Sequence, residues 1–127
     1  MLYSDKVIEH FLNPKNAGYI PGADGVGTMG DSSCGDYLRI YISVKDNRIS
    51  DIKYEIIGCP AAIATSSILT ELVKGKTLDE ALKITDLDVI KAIGGLPDPK
   101  VHCSNLGAGA LHGAILDYKN RLREKKQ

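Results

Sequence analysis

The stretch DYLRIYISVKDNRISDIKYEII, residues 36 to 57, decides the fold. Leu38, Ile40, Ile42 and Val44 alternate with Tyr37, Arg39, Tyr41 and Ser43, which is the period of two that a half-buried strand requires. After the turn residues KDNR, the alternation resumes with Ile52, Tyr54 and Ile56. Two strands, 36–45 and 48–57, are therefore expected to pair as an antiparallel hairpin with one apolar face. Upstream, residues 16 to 33 are rich in glycine, and DGVGTMGD (24 to 31) reads as a short, irregular edge strand. The three together make a meander.

Helical patterns flank this sheet. Ser4 is an N-cap, and Val7, Ile8, Phe11 and Leu12 form one helical face before Asn13-Pro14 ends it. His10 on that helix reads as a surface residue. In CPAAIATSSILTELVKG (59 to 75), Pro60 suits the first helical position and Gly75 the C-terminal cap. The small apolar run Ala61 to Ala64 predicts a buried helix start. TLDEALKI opens with a capping box, Thr77 with Glu80, and DLDVIKAIGG is a further short helix ended by glycine. LPDP breaks the chain, and residues from about 101 to 125 form a last helix. Strands first and helices afterwards predict an α+β fold: a small antiparallel three-stranded meander, helices packed on one face, and a long C-terminal helix. Without repeat, linker or low-complexity tract, residues 1–127 read as a single domain.

At 127 residues, with 43% hydrophobic and 25% charged residues, the composition is that of an ordinary soluble protein with a core of its own. Sixteen basic residues balance sixteen acidic ones, so no net field favours nucleic acid or an anionic membrane. The basic tail NRLREKKQ reads as a solvated helix end. MLYSDKVIEHFLNPK carries charges throughout and is no signal peptide, and no segment reaches the length of a membrane span. Three cysteines, none in a CxxC, give no disulfide framework; reduced thiols in a cytoplasmic protein are expected.

Each cysteine sits at a junction. Cys34 precedes a strand, Cys59 joins a strand to a helix, and Cys103 lies near the start of the last helix. Loops at element ends are where a rigid scaffold displays chemistry. Cys34 and Asp36 share the parity of Leu38 and Ile40, so both are expected to lean toward the helix-covered face at its rim. Cys59 at a helix N-terminus gains from the dipole, which favours thiolate, the form that ligates metal or attacks sulfur. Cys103 shares a helical face with Leu106, Gly107, Ala110 and Ala114, small residues that allow close approach of a neighbour. His102 stands beside it, about 100° around the axis. His112 falls on the opposite face and is discounted, and GADGVGTMG lacks the pattern of a phosphate loop.

A single buried cysteine is usually a small hydrophobe. Three at three junctions, one beside Asp36 and one beside His102, point instead to metal or sulfur chemistry. Three thiolates with one carboxylate or imidazole are a metal-ligand set of the kind that holds tetrahedral zinc. A thiol enzyme with Cys103 activated by His102 is the weaker reading, because adjacent residues rarely present base to nucleophile and no oxyanion motif is visible.

The chain resembles the iron–sulfur cluster assembly scaffolds of the IscU/NifU type. The resemblance runs nearly end to end, through YSDKVIEHFLNPKNAG, CGDYLRIYISV, IGCPAAIATSSILTELVKGKTLDEAL and HCSNLGAGAL in that order. It implies that Cys34, Asp36, Cys59 and Cys103 are the cluster-site residues, with His102 as the additional candidate ligand. It further implies a non-enzymatic scaffold that receives iron and receives persulfide sulfur from a PLP-dependent cysteine desulfurase. On it a labile [2Fe-2S] cluster is built and passed to apo-proteins; a homodimer is compatible with this. Zinc in the same site, with a sulfur-acceptor role, is the alternative. The absence of a long insertion between Cys59 and Cys103, unlike the SufU branch, counts against it. Pro60 stands where the family commonly has a small residue such as glycine, which stiffens the Cys59 turn and removes no ligand. LPDPK (96 to 100) stands where bacterial members offer LPPVK to a dedicated heat-shock-type chaperone, which counts against recognition by such a chaperone.

Overall fold

The computed structural model describes residues 4–31, 36–92, 94 and 105–125. Their order is α1 (Asp5–Leu12), β1 (Gly25–Asp31), β2 (Asp36–Lys45), β3 (Arg48–Ile57), α2 (Pro60–Val73), α3 (Leu78–Leu82), α4 (Asp86–Ala92) and α5 (Asn105–Lys125). The strands form one antiparallel sheet in the order β1-β2-β3. The expected α+β architecture is the observed one. The β2–β3 turn places Asp46 and Asn47 at φ 54 and 62, the left-handed pair that a two-residue hairpin demands and that Asp and Asn tolerate. An irregularity between Ser43 and Val44 shifts the register, so the inward set passes from Ile49 to Ile52 and Tyr54, all buried.

Leu38, Ile40 and Ile42 are fully buried, as the alternation predicts. The helices cover that face. Nearly all of α2 is enclosed: Ala62 and every residue from Ala64 to Thr70 are buried. Its hydroxyls are absorbed locally, with Thr65 and Ser66 donating to Ala62 O at 3.0 and 2.8 Å. The capping box at Thr77 and Glu80 is present, and it holds the Glu80 carboxyl below its ordinary range through the Thr77 backbone and hydroxyl. A second reciprocal cap, Thr85 with Asp88, opens α4. It was not expected, because an Asp at the third helical position replaces the usual Glu or Gln.

Two expectations for α1 are corrected. Val7 and His10 are its buried residues, at 1% and 7% exposure, whereas Ile8, Phe11 and Leu12 stand 45%, 40% and 66% exposed. The helix therefore docks on α2 through a narrower stripe than its apolar residues suggest, and His10 is no surface residue. The cause is a polar fastening. His10 Nδ1 lies 2.7 Å from Ser67 Oγ, which also accepts the Lys15 N–H at 2.8 Å. Asn16 donates to Thr70 Oγ1 at 3.0 Å, and Tyr54 exchanges backbone bonds with Asn16 and Gly18. The buried Tyr54 phenol is pushed up to about 12 by desolvation, against a weaker opposing pull from Ser67. Replacing Ser67 by alanine strands a buried imidazole nitrogen and a backbone N–H together. The expected loss is about 1–3 kcal/mol, read from the midpoint of urea unfolding; an unchanged midpoint would show that His10 finds another partner.

The edge strand is more regular than its glycines suggest. All seven residues of β1 pair with β2, from Gly25 opposite Ile42 to Asp31 opposite Asp36. Gly25 and Gly27 take the inward positions, where α5 lies directly on the strand. The outer edge of β1 is covered too: Val26 N–H donates to Asp117 Oδ2 at 2.9 Å, and Arg121 donates to Ala23 O at 3.0 Å. This caps the start of an edge that would otherwise invite pairing with another chain.

Candidate functional site

Three chain ends meet at one end of the sheet. There β1 stops at Asp31, β2 starts at Asp36 opposite it, and β3 stops at Ile57 opposite Tyr37. Two residues beyond Ile57, Cys59 turns the chain into α2. A fourth end, that of α5, joins them. Gly25 lies against Ala114 and Tyr118, Gly27 against Ala110 and Ala114, and Met29 against Gly109. Descending helix numbers thus accompany ascending strand numbers, so α5 runs antiparallel to β1 with Asn105 toward the Asp31–Asp36 end. Gly107, Ala110 and Ala114 are buried, as the small-residue face predicts.

Cys59 is the N-cap of α2, half-buried, with extended backbone (φ −77, ψ 167) and Pro60 at the first helical position. Its carbonyl accepts the first helical bond, from Ile63 at 3.1 Å. Its sulfur does not cap the helix, so the first-turn N–H groups present their partial positive charge beside a thiol that has not replaced them. Asp36 is the first residue of β2, in the same alternate position as Leu38 and Ile40; the aim of its carboxylate lies outside the description. Cys34 belongs to the four-residue connection between Asp31 and Asp36, and His102 and Cys103 come three and two residues before Asn105. All three lie outside the described residues, as does LPDPK. Among the described residues, no three His, Cys, Asp or Glu side chains gather as a metal site.

Described residues nearby add features the sequence did not announce. On the open face of the sheet, one step from Asp36, the Arg39 guanidinium lies 5.6 Å from the centre of the Tyr37 ring. The Tyr41 hydroxyl bonds to Glu55, which pushes the Tyr41 phenol up. Away from this end, burial raises the Asp86 carboxyl while His112 pulls it back in part.

What the arrangement can do follows from softness and placement. Thiolates at separate junctions of a rigid sheet prefer iron–sulfur units or zinc over hard cations. Ends of elements also leave their donors accessible to an incoming sulfur donor and to a recipient.

Residues 2–125 match the family described as the NifU-like N terminal domain. The chain is 63% identical over 117 residues to iron–sulfur cluster assembly scaffold protein IscU 1 of Archaeoglobus fulgidus, covering 92% of this chain and 76% of that one. It is 45% identical over 130 residues to the IscU scaffold protein of Escherichia coli, with 99% and 100% covered. Among solved structures it is similar to a candidate iron–sulfur cluster assembly scaffold for the SUF system from Fervidobacterium islandicum, with a TM-score of 0.73 at 27% identity and 89% and 96% of the two chains covered.

Proposed function

The chain belongs to the family of NifU-like N-terminal domains, and from that membership we propose that it is a scaffold on which an iron–sulfur cluster is assembled and then handed to apo-proteins. The observation that carries this reading is a match to named scaffolds along nearly the whole chain; the described ends of β1, β2, β3 and α5 at one end of the sheet support it. Residues 1–127 act as one domain. The cargo is a [2Fe-2S] cluster held by Cys34, Cys59 and Cys103, with Asp36 or His102 completing the set. Thiolate is the preferred donor for cluster iron, and one weaker donor suits a carrier that must release what it holds.

The protein is a carrier and no enzyme in its own right. A scaffold thiolate attacks the outer sulfur of a persulfide on a PLP-dependent cysteine desulfurase; the new S–S bond forms on the scaffold and the donor cysteine leaves as thiolate. Acceptors are apo iron–sulfur proteins, the compartment is the cytoplasm, and a homodimer is compatible with the site. The zinc reading is set aside, since relatives at 45% and 63% identity carry the scaffold name.

The test is anaerobic incubation of the protein with a cysteine desulfurase, cysteine and ferrous iron. Mass spectrometry is expected to show added sulfur on at least one of the three cysteines, followed, once a dithiol reductant supplies the electrons that turn persulfide sulfur into sulfide, by visible absorption of a cluster. A colourless protein with no added sulfur would end the assembly role.

A further inference from the structure

On the reading of the three thiols as one site, we propose that Gly27 is a positioning residue for that site, acting through α5. A Cβ built on Gly27 would stand 2.0 Å from Ala110 O, 2.3 Å from Ala114 N and 2.8 Å from Gly113 C. Every obstacle is main chain, so no side chain can swing aside. The helix and the strand are in backbone contact, and a methyl group at position 27 can be accommodated only by moving α5 off β1 by on the order of 1 Å.

That movement is a rotation, because α5 is pinned beyond the contact. Asp117 accepts from Val26 N–H at 2.9 Å, Arg121 donates to Ala23 O at 3.0 Å, and Arg121 and Asp117 pair at 2.9 Å. At 1.5 Å rise per residue, the Gly27 contact lies about 4 to 10 Å from Asp117 and Asn105 about 18 Å from it. A wedge at Gly27 therefore displaces the first turn of α5 by roughly twice what it displaces the contact. Cys103 is tied to that turn by two peptide units. The connection that carries Cys34 is tied to β1 and β2, which do not follow α5. The glycine thus governs the separation between the sheet end and the first turn of α5, the elements from which the cysteine-bearing segments depart. Gly25 meets Ala114 O at 2.2 Å and Tyr118 Cβ at 3.1 Å, closer to the pin, so a wedge of the same size there turns α5 through a larger angle.

Cobalt(II) alone is the probe, titrated anaerobically into the full chain and followed by its thiolate charge-transfer and d–d absorption. Wild type is expected to give a tetrahedral thiolate spectrum. Gly27→Ala is expected to bind cobalt about tenfold more weakly with shifted d–d bands, an error of this size being costly for any preorganised site. The core variant Ile52→Ala, compared at a temperature where it is folded by circular dichroism, is expected to keep the wild-type spectrum and stay within about twofold of wild-type affinity. Wild-type cobalt binding by folded Gly27→Ala would overturn the inference and leave the scaffold reading intact. Absence of a thiolate band in wild type would overturn the site reading itself, and the inference with it. If Gly27→Ala does not fold, Gly25→Ala decides. Its methyl group meets the Ala114 main-chain carbonyl oxygen, 2.2 Å from the position of a Cβ, where no side chain can yield. It must weaken cobalt binding at least about threefold, and wild-type affinity would refute the role of this interface.

Discussion

Cys34→Ser, Cys59→Ser and Cys103→Ser are each expected to lower the iron and sulfide retained after reconstitution by about tenfold or more, with the fold intact. The size follows from ligand chemistry. Disturbing residues that merely orient metal ligands already costs roughly 10- to 100-fold, and a serine hydroxyl is a much poorer donor to cluster iron than thiolate. The intact fold can be argued from the structure for Cys59. Its sulfur makes no capping bond at the start of α2, whereas serine is a favoured N-cap whose oxygen accepts from the first-turn N–H groups. Cys59→Ser should therefore melt no lower than wild type while losing its cluster, a separation that a merely structural cysteine would not give. Iron and sulfide per chain, read beside the thermal midpoint, check it. Any one variant that keeps wild-type cluster content and lifetime removes that cysteine from the site.

Most of this architecture was legible because each element announces itself locally. The β2–β3 hairpin follows from strict alternation around Asp46-Asn47, and both appear as expected. The Thr77–Glu80 box is equally local. What escaped is what depends on partners distant in sequence. His10 looks solvated on a helical wheel, and only the docking of α1 onto Ser67, 57 residues away, buries it. The apolar Ile8, Phe11 and Leu12 looked like a core stripe and stand exposed for the same reason. The glycines of β1 weakened it as a strand by propensity, yet Gly25 and Gly27 are there because α5 admits no side chain. Their spacing of two, opposite a helix carrying Gly109, Ala110, Gly113 and Ala114, was the signal. For the candidate site, chain order supplied the junctions, and the direction of α5 over β1 added that they share one end of the sheet.

Asp36→Ala is expected to assemble a cluster and to release it about three- to tenfold more slowly, both to an apo-acceptor and to a chelator, as the loss of a weak, exchangeable donor would produce. The motive is its station. Asp36 begins β2, directly opposite Asp31 and in the same alternate position as Leu38 and Ile40, whose side chains face the helices. Two residues upstream is Cys34, so strand geometry ties the carboxylate-bearing residue to the thiol-bearing connection. A carboxylate is a harder donor than thiolate and binds cluster iron less tightly; it admits water or a recipient's thiolate in exchange. With Asp36 as a ligand, release would proceed through a donor that can leave without breaking an iron–thiolate bond, and removing it would leave the cargo slower to depart. The competing role for Asp36 is to brace the connection by accepting backbone N–H groups, as Asp does readily in loops. The substitution Asp36→Asn would keep such a brace and lose the charge. If the carboxylate acts on iron, Asp36→Asn should also retain its cluster longer than wild type. If it braces the loop, Asp36→Asn should match wild type and Asp36→Ala should lose cluster faster, the opposite sign of effect in the same chelator assay.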